Sequence, residues 1–184
     1  MNGNITSKVA ALLLGQGAPV RVVGRNARSL ASLKAAGADI ATGDIGDAGF
    51  LAQAFAGAIA AAGLKRVVNP SSVGAHLGSG TGPIAGLHRQ EQRLDELAGV
   101  DVLHLRPGYF FENHLIAIEM IRTIGAYSDM TAPDASLPMV ATADIAEVVA
   151  RELRTPSGKG KRVLHLRAPS LYTRGRGFRS WGAS

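Results

Sequence analysis

The sequence predicts an α/β fold in which helices flank a mostly parallel β-sheet. Short segments rich in valine and leucine alternate along the chain with segments that repeat apolar residues at helical spacing. Glycine and proline separate these segments, and the sequence contains no internal repeat. The 184 residues, 46% of them hydrophobic, suffice for one domain with a substantial core.

The first part of the chain alternates three helices with three strands. Val9, Leu12 and Leu13 share one face of the first helix, which Gly17 ends. Leucines on one face define the second helix, a run of alanines defines the third, and β-branched residues define the strands. The expected order is helix 7–16, strand 19–24, helix 27–36, strand 38–44, helix 48–63 and strand 65–72.

The second part begins with a glycine-rich loop over residues 74–82. Pro83 opens the next helix, and Ile145, Val148 and Leu153 form the inward face of the last one. The expected order is helix 83–98, strand 100–108, helix 110–125, a short strand 136–142, helix 143–154 and strand 162–166. We therefore expect a domain over residues 1–167 and a flexible basic tail over residues 168–184, in which glycine, arginine and serine dominate.

Charge and composition exclude several classes of protein. Residues 1–150 hold 11 Lys/Arg and 13 Asp/Glu, whereas residues 151–184 hold 9 Lys/Arg and one acid, so the net charge of +6 arises at the C-terminal end. The chain has no cysteine, which excludes disulfides and thiolate chemistry. Because no apolar run approaches 18 residues and no secretory signal is visible, we expect a cytoplasmic protein without a membrane partner.

Residues 3–6, with the sequence GNIT, open the first helix. As a remnant phosphate loop they would present backbone N–H groups to an anion, whereas as a simple cap Asn4 or Thr6 would satisfy those groups. Arg25 and Arg28 follow the strand VRVVG. Arginine at this place suits the 2′-phosphate of NADP, while an acidic residue would suit NAD, and a solvated surface pair is the alternative.

Ser71 and Ser72 lie beyond the carboxyl end of a strand, the edge at which open α/β sheets bind ligands. They would either hydrogen bond to a ligand or belong to an ordinary loop. The next helix contains His88 in the segment HRQE. Glu91 lies one turn later on the same face, where it would either orient the imidazole or form a surface pair. The five histidines lack the spacing of a metal site, so no metal is expected.

The segment RPGYFFEN ends one strand and starts a helix. Tyr109, Phe110 and Phe111 would form an apolar wall for a flat ligand or pack in the core, and we expect at least one of them in the core. Asn113 would hydrogen bond to the same ligand. The segment YTRGRGFRSW interleaves arginine with aromatic residues, as single-strand nucleic-acid binders do, but one short copy favours a solvated tail over a nucleic-acid partner.

In this order, the segments resemble the NmrA-like group of atypical short-chain dehydrogenases/reductases. The matching pieces are GNITSKVAALL, VRVVGRNARSLASLKAAGADIATGDIGD, LKRVVNPSSVGAHL, LHRQEQRLDELAGVDVLHLRPGYFFEN and TADIAEVV. The resemblance implies a Rossmann-like domain that binds NAD(P), with NADP(H) preferred over NAD(H). The implied cofactor contacts are Gly3, Asn4, Ile5, Arg25, Arg28, Asp44, Ser72, His88, Pro107 and Tyr109, and the implied substrate contacts are Tyr109, Phe110, Phe111 and Asn113.

The resemblance leaves two functions open, and a degenerate remnant that binds no ligand is the third alternative. Some members of the group reduce quinones or azo dyes with NAD(P)H, and others bind the cofactor as a redox signal with little catalysis. Ordinary short-chain dehydrogenases use a Tyr-x-x-x-Lys pair, but Ile84 and His88 stand at those positions here. This leaves His88 as the candidate catalytic residue. Asp44 would lie beside the adenine or serve as a turn aspartate.

Two departures from the group's pattern predict weak or lost activity. The chain enters the glycine motif at its second glycine, Gly3, with Thr6 at the third, so we expect the usual first strand to be absent. Only 20 residues separate Asp44 from Lys65, too few for the usual helix, strand and helix, so the fourth strand is also expected to be absent. In the order 3-2-1-4-5-6 these two strands are central, so the sheet would close directly or split. Neither the acceptor nor the oligomeric state follows from the sequence.

Overall fold

The computed structural model describes residues 4–24, 26–42, 63–125, 132 and 134–173. Its helices are α1 (Asn4–Gly15), α2 (Ala31–Ala35), α3 (Ile84–Asp95), α4 (Leu115–Ile124) and α5 (Thr142–Arg154), with 3-10 turns at Ala27–Leu30 and Phe111–His114. Its strands are β1 (Arg21–Gly24), β2 (Asp39–Thr42), β3 (Arg66–Pro70), β4 (Asp101–Pro107), β5 (Tyr109–Phe110), β6 (Met139–Val140) and β7 (Lys161–Leu166). None of the described helices combines the length and apolarity needed to span a bilayer.

The strands form three parallel ladders. β1 pairs with β2, β4 lies between β3 and β7, and β5 pairs with β6. β4 is the central strand of the largest ladder, and its residues from Val102 to Leu105 are all buried. Parallel strands buried in this way need helices against both faces. α1 and α5 pack on the face of Leu103 and Leu105, and Leu94 of α3 packs against Val102 on the other face. The α/β class with a mostly parallel sheet and flanking helices is confirmed.

The two larger ladders are not joined to each other in the described part of the chain. There, β1 pairs only with β2, and β3 pairs only with β4. The sequence left two outcomes open for a sheet without its central strands, direct pairing or a split, and the described strands correspond to the split. Residues 43–62, which connect β2 to β3 and include the helix predicted at 48–63, lie outside the described residues.

Helix α1 holds the two ladders together. Val9 packs in the cluster that contains Leu105 and Ile145, whereas the next residue, Ala10, packs in the cluster that contains Val22. Neighbouring residues point about 100° apart around a helix, so one helix can contact two clusters through adjacent positions.

Several element boundaries differ from the sequence prediction. α1 starts at Asn4 rather than residue 7. The segment predicted as one helix over 110–125 contains three elements instead: the end of the two-residue strand β5, the 3-10 turn Phe111–His114 and the helix α4. β5 was not predicted because two residues carry no periodicity.

The inward face of α5 also differs from the prediction at one position. Leu153 was predicted to point inward but is 40% exposed, and the neighbouring Glu152 is buried instead. The Glu152 carboxylate accepts hydrogen bonds from the backbone N–H and the hydroxyl of Ser157, and Arg162 lies 3.6 Å from it. These partners compensate for the burial of the Glu152 charge, so Glu152 rather than Leu153 lies on the inward face of α5.

Lys161 ties the start of β7 to the end of α3. Its ammonium group donates hydrogen bonds to the backbone carbonyls of Leu94, Leu97 and Val100, at 3.0, 2.9 and 2.9 Å. Carbonyls at the C-terminus of a helix have no partner within the helix, and a cation there also interacts favourably with the helix dipole. One side chain therefore fixes α3 to the edge strand of the three-stranded ladder.

We expect Lys161→Met to lower the free energy of unfolding by about 1–3 kcal/mol, because three carbonyls lose a charged donor. Lys159→Met is the matched control, since it removes the same charge two residues away from an exposed side chain. Urea unfolding followed by circular dichroism measures both. Equal effects of the two substitutions would show that Lys161 contributes only net charge.

Candidate functional site

The candidate site lies at the carboxyl ends of β3 and β4. Beyond β3, the backbone N–H of Ser71 donates to the Leu105 carbonyl at 2.7 Å and that of Val73 donates to the Pro107 carbonyl at 2.9 Å. The segment after β3 therefore continues alongside β4 to the strand's end. Ser72 is half-buried there, and its hydroxyl donates to the Val73 carbonyl at 2.9 Å. Pro107 is fully buried as the last residue of β4.

Gly108 allows the close approach that shapes this edge. A Cβ at this position would lie 1.7 Å from the carbonyl oxygen of Pro138, so no other residue fits without moving the backbone. The N–H of Gly108 donates to the Leu166 carbonyl, and the N–H of Tyr109 donates to the Pro138 carbonyl at 2.8 Å. The turn after β4 is thereby fixed to β7 on one side and to the segment before β6 on the other.

His88 is held under the glycine-rich loop. Its Nδ1 lies 2.9 Å from the carbonyl oxygen of Ala75, which can only accept, so Nδ1 carries the hydrogen. Nε2 then carries the lone pair of the neutral ring, and it lies 3.5 Å from the place of a Cβ on Gly78. No hydrogen-bond partner for Nε2 is found in the described part of the chain. Ile84, at the position of the usual catalytic tyrosine, is a half-buried aliphatic residue.

The interpretation that Glu91 orients His88 is wrong. Glu91 is 5% exposed and accepts two hydrogen bonds from Arg106, from Nε at 3.1 Å and from Nη2 at 2.5 Å. Burial alone would raise the pKa of the Glu91 carboxyl, but the hydrogen bonds and the positive charge of Arg106 hold that pKa below its ordinary value. A guanidinium can bind a carboxylate through two parallel hydrogen bonds. Glu91 therefore pairs with Arg106 of β4 rather than with the imidazole of His88, which lies on the same helix as Glu91.

A second polar chain joins the same elements. The Gln90 amide donates to Asn69 Oδ1 at 2.9 Å, and the Asn69 amide lies 3.0 Å from Nδ1 of His104. Nε2 of His104 lies 3.0 Å from a carboxylate oxygen of Asp95. These residues connect β3, β4 and α3 through the interior, since Asn69 and His104 are 4% and 1% exposed. The sequence placed His104 in a strand, but nothing local in the sequence indicated that Asn69 and Asp95 are its hydrogen-bond partners.

The aromatic turn after β4 distributes its rings to different neighbours. Phe110 packs against the core cluster of α1, β4 and α5, the alternative that the sequence left open for one of the three aromatics. The ring of Tyr109 lies 5.5 Å from that of His114, and the ring of Phe111 lies 5.2 Å from that of Tyr172, edge to face. Asn113 is exposed.

Glu112 in the same turn fixes the start of α5. Its carboxylate accepts the backbone N–H of Thr142 at 2.9 and 3.1 Å as well as the Thr142 hydroxyl, and Lys8 from α1 lies 3.2 Å away. Burial alone would raise the pKa of Glu112, but these bonds from Thr142 and Lys8 lower it overall. An acid supplied by another segment thus caps α5, a contact between distant residues that the sequence analysis missed.

The remaining predicted cofactor residues are distributed as follows. Asn4 starts α1, and Ile5 is half-buried against the core cluster. Arg28 is exposed in the 3-10 turn after β1, where its backbone N–H donates to Asn26. The carboxyl end of the three-stranded ladder thus brings together Ser72, His88, Pro107 and Tyr109. Arg28 lies instead beyond the end of the ladder formed by β1 and β2. Gly3, Arg25 and Asp44 lie outside the described residues.

Comparison with known proteins places this geometry in a known fold. No family model matches the chain, and no curated protein matches its sequence. An NADPH-dependent quinone oxidoreductase from Escherichia coli, complexed with NADPH, is 22% identical and superposes with a TM-score of 0.78 over 98% of this chain and 73% of its own. Triphenylmethane reductase from Citrobacter sp., complexed with NADP(H), is 16% identical, with a TM-score of 0.74 over 99% and 73%. An anaerobillin reductase from Escherichia coli O157:H7 is 19% identical, with a TM-score of 0.60 over 91% and 93%.

At these identities, the similarity establishes a Rossmann-like fold. The quinone oxidoreductase match covers nearly all of this chain, so the parallel ladders and the helices beside them follow that fold rather than a chance arrangement of α/β units.

We expect the protein to lose stability in acid. The pKa values of Glu91, Glu112 and Glu152 are all lowered in the folded state, so the unfolded chain binds more protons and stability increases with pH in that range. Their contribution is complete above about pH 5 and is lost as the pH falls below about 4.5, through the lowered values.

Urea unfolding between pH 7 and pH 3.5 tests this, with Glu112→Gln as the variant. The substitution should cost about 1–3 kcal/mol at pH 7 and less at low pH, where the wild-type carboxyl is itself protonated. A wild-type midpoint independent of pH, or a variant deficit that stays constant into acid, would contradict the assignment.

Proposed function

We propose that this protein is an NADPH-binding member of the NmrA-like group that reduces a flat, quinone-like or azo acceptor with weak or lost turnover. The observation that carries the proposal is His88, held by the Ala75 carbonyl at the carboxyl edge of the ladder with Nε2 left for a ligand. The Rossmann-like fold supports it, because ligands of open α/β sheets bind at that edge. The solved structures with this fold include NADPH-dependent reductases.

The residues at the end of β4 fit the nicotinamide half of such a site. When bound, the reduced nicotinamide supplies a hydride to a conjugated acceptor, so no catalytic tyrosine is required. Nε2 of His88 would accept a hydrogen bond from a ribose hydroxyl. The half-buried rings of Tyr109 and Phe111 would border the acceptor, and the exposed Asn113 would hydrogen bond to it. Phe110, packed on the core, supports this wall rather than lining it.

The phosphate half of the site depends on the other ladder. Arg28 is exposed after β1, and Gly3 and Arg25, which lie outside the described residues, would complete the contacts to the pyrophosphate and the 2′-phosphate. The two ladders are in contact through α1. The distance between the nicotinamide half and the phosphate half of the proposed site therefore depends on how firmly that helix packs on both ladders. We therefore expect weak turnover, since a displacement of about 1 Å can cost on the order of 10²-fold in rate.

The alternative is a regulatory protein that binds NADP without turnover. The missing Tyr-x-x-x-Lys pair excludes proton transfer by Ile84, but it does not separate this alternative from the reductase, which needs no catalytic tyrosine. Binding without NADPH oxidation would separate this function from a reductase.

NADPH should bind about 10- to 150-fold more tightly than NADH. A guanidinium contact to the 2′-phosphate contributes roughly 1.5–3 kcal/mol, which corresponds to that ratio. Calorimetric titration of the wild type, Arg25→Ala and Arg28→Ala measures it, with Lys34→Ala as a control that removes an exposed charge of α2. Equal affinity for both cofactors, or a preference that survives both arginine variants, would rule out this assignment.

Turnover with NADPH and menadione should stay well below the typical enzyme value of roughly 10 s⁻¹. The expected reason is the split between the ladders, which leaves the cofactor halves imperfectly aligned. Absorbance at saturating NADPH with several quinones measures kcat. A kcat near 10 s⁻¹ would mean that the alignment is intact despite the split, and undetectable oxidation with tight NADPH binding would favour the regulatory alternative.

A further inference from the structure

Four segments of the chain meet at the carboxyl edge of β4. The backbone N–H of Val73, in the loop after β3, donates to the Pro107 carbonyl at 2.9 Å. The N–H of Tyr109, in the turn after β4, donates to the Pro138 carbonyl at 2.8 Å. The loop after β3, the aromatic turn and the segment before β6 are therefore held side by side.

The start of the C-terminal tail is the fourth segment. The N–H of Ala168 donates to the Met139 carbonyl at 2.6 Å, and Leu137 and Tyr172 exchange two backbone hydrogen bonds, at 2.8 and 3.2 Å. The sequence predicted a flexible tail from residue 168, yet residues 168–172 pair here as a short antiparallel strand would. The chain therefore leaves β7 and returns along the segment that leads into β6.

These four segments carry no charged side chain. Asp, Glu, Lys and Arg make up 18% of the chain but are absent from residues 71–88, 107–111, 135–141 and 168–173. Glu112 follows the third aromatic residue of the turn, but its carboxylate is committed to Thr142 and Lys8. Because a charged ligand group would find no opposite charge in these segments, the edge suits a neutral group.

The loop after β3 exposes two apolar side chains at this edge. Val73 and Leu77 are 39% and 46% exposed. The N–H of Ala75 donates to the Ser72 carbonyl at 3.1 Å, and that of Leu77 donates to the Gly74 carbonyl at 3.0 Å. These two overlapping turns fix the backbone between Val73 and Leu77, so both side chains belong to one short, ordered loop.

This loop borders the place proposed for the nicotinamide and the acceptor. Val73 is bonded to Pro107, the residue that precedes the aromatic turn. Leu77 precedes Gly78, where a Cβ would lie 3.5 Å from Nε2 of His88. Since consecutive Cα atoms are about 3.8 Å apart, Leu77 lies beside the accessible side of the imidazole.

Tyr172 exposes apolar surface at the same edge. Its ring lies 5.2 Å from that of Phe111, edge to face, and 37% of the residue is exposed. Single exposed apolar residues are ordinary on a protein surface and need no explanation. Here, three of them lie on uncharged segments that are hydrogen bonded around one sheet edge, which is typical of a surface that binds an apolar group.

We propose that the acceptor carries a neutral hydrocarbon chain and that Val73 and Leu77 select it. The location of the acceptor rests on the proposed function. Its conjugated ring would lie against Tyr109 and Phe111, and the chain would extend over the exposed side chains of Val73 and Leu77. Contact there removes apolar surface of both the protein and the chain from water, which favours binding without any charged partner.

The test compares menadione, which bears a methyl group, with its homologue 2-hexyl-1,4-naphthoquinone. The variant V73S/L77S makes both selecting side chains polar. The matched control, V163S/L153S, makes the same two changes on β7 and α5, at side chains that are 46% and 40% exposed. For each protein, the readout is the ratio of kcat/KM for the hexyl quinone to kcat/KM for menadione at saturating NADPH. The chain has no cysteine for a quinone to alkylate.

In the wild type, the ratio should be roughly 10 to 30. A fully buried methylene group favours binding about fourfold, and a chain that stays open to solvent on one side gains roughly twofold for each. The ratio should fall about 3- to 10-fold in V73S/L77S and less in V73A/L77A, because alanine keeps an apolar methyl group. An equal ratio in the wild type and V73S/L77S, or an equal fall in the control variant, would overturn the proposal.

Equilibrium dialysis with the hexyl quinone alone separates this proposal from the reductase function. If NADPH is not oxidised with either quinone, the reductase proposal fails, and hexyl-quinone binding that weakens in V73S/L77S but not in the control still supports the apolar surface. Binding that is equal in the wild type and V73S/L77S overturns the apolar surface even if the reductase activity is present.

Discussion

The buried ion pair between Glu91 and Arg106 fixes α3 against β4, and the candidate site is positioned from that contact. Both side chains are largely removed from solvent, with 6% and 13% of their surfaces exposed. Breaking such a pair costs about 3–5 kcal/mol, because the remaining charge is left buried. His88 lies one turn before Glu91 on the same helix, so the pair determines where the imidazole meets the glycine-rich loop. The sequence suggested Glu91 as the residue that orients His88 directly. In the structure, Glu91 positions His88 only indirectly, by fixing the helix that carries both residues.

The polar chain from Gln90 to Asp95 adds direction to this contact. A carbonyl or amide in the interior must be paired, so each member restricts the orientation of the next. Asn69 of β3 and His104 of β4 are joined in this way, and α3 supplies both ends of the chain. Apolar packing alone would let α3 slide along the ladder, whereas these bonds are satisfied in one register. The edge that bears Ser72 and Tyr109 inherits that register.

Much of this fold follows from the sequence, and the failures have common physical causes. β4 and α5 were predicted because their burial imposes a regular apolar period, whereas β5 and the anchored residues 168–173 depend on backbone bonds to distant segments. The same limit applies to side chains. Pro107 and Gly108 predict a turn from the local sequence alone. The capping of α5 by Glu112 and the ion pair of Glu91 with Arg106 join residues that are distant in the chain, so the local sequence does not predict them. His88 could be located from a motif, while the Ala75 carbonyl that fixes its tautomer could not.

If the protein binds NADPH as proposed, the division of the fold makes cofactor binding and folding depend on each other. The proposed nicotinamide contacts belong to the ladder of β4, and the proposed phosphate contacts belong to that of β1, with α1 packed on both. A ligand that touches both ladders favours the state in which α1 is fully seated. It therefore stabilises the fold by RT ln(1 + [L]/Kd), about 2.7 kcal/mol at a hundredfold excess over Kd. A ligand that touches one ladder stabilises that ladder alone. Thermal unfolding with NADPH and with separate adenosine 2′,5′-bisphosphate would thus distinguish a bridged site from two independent ones, because only the bridging cofactor should merge the unfolding of both ladders into one transition.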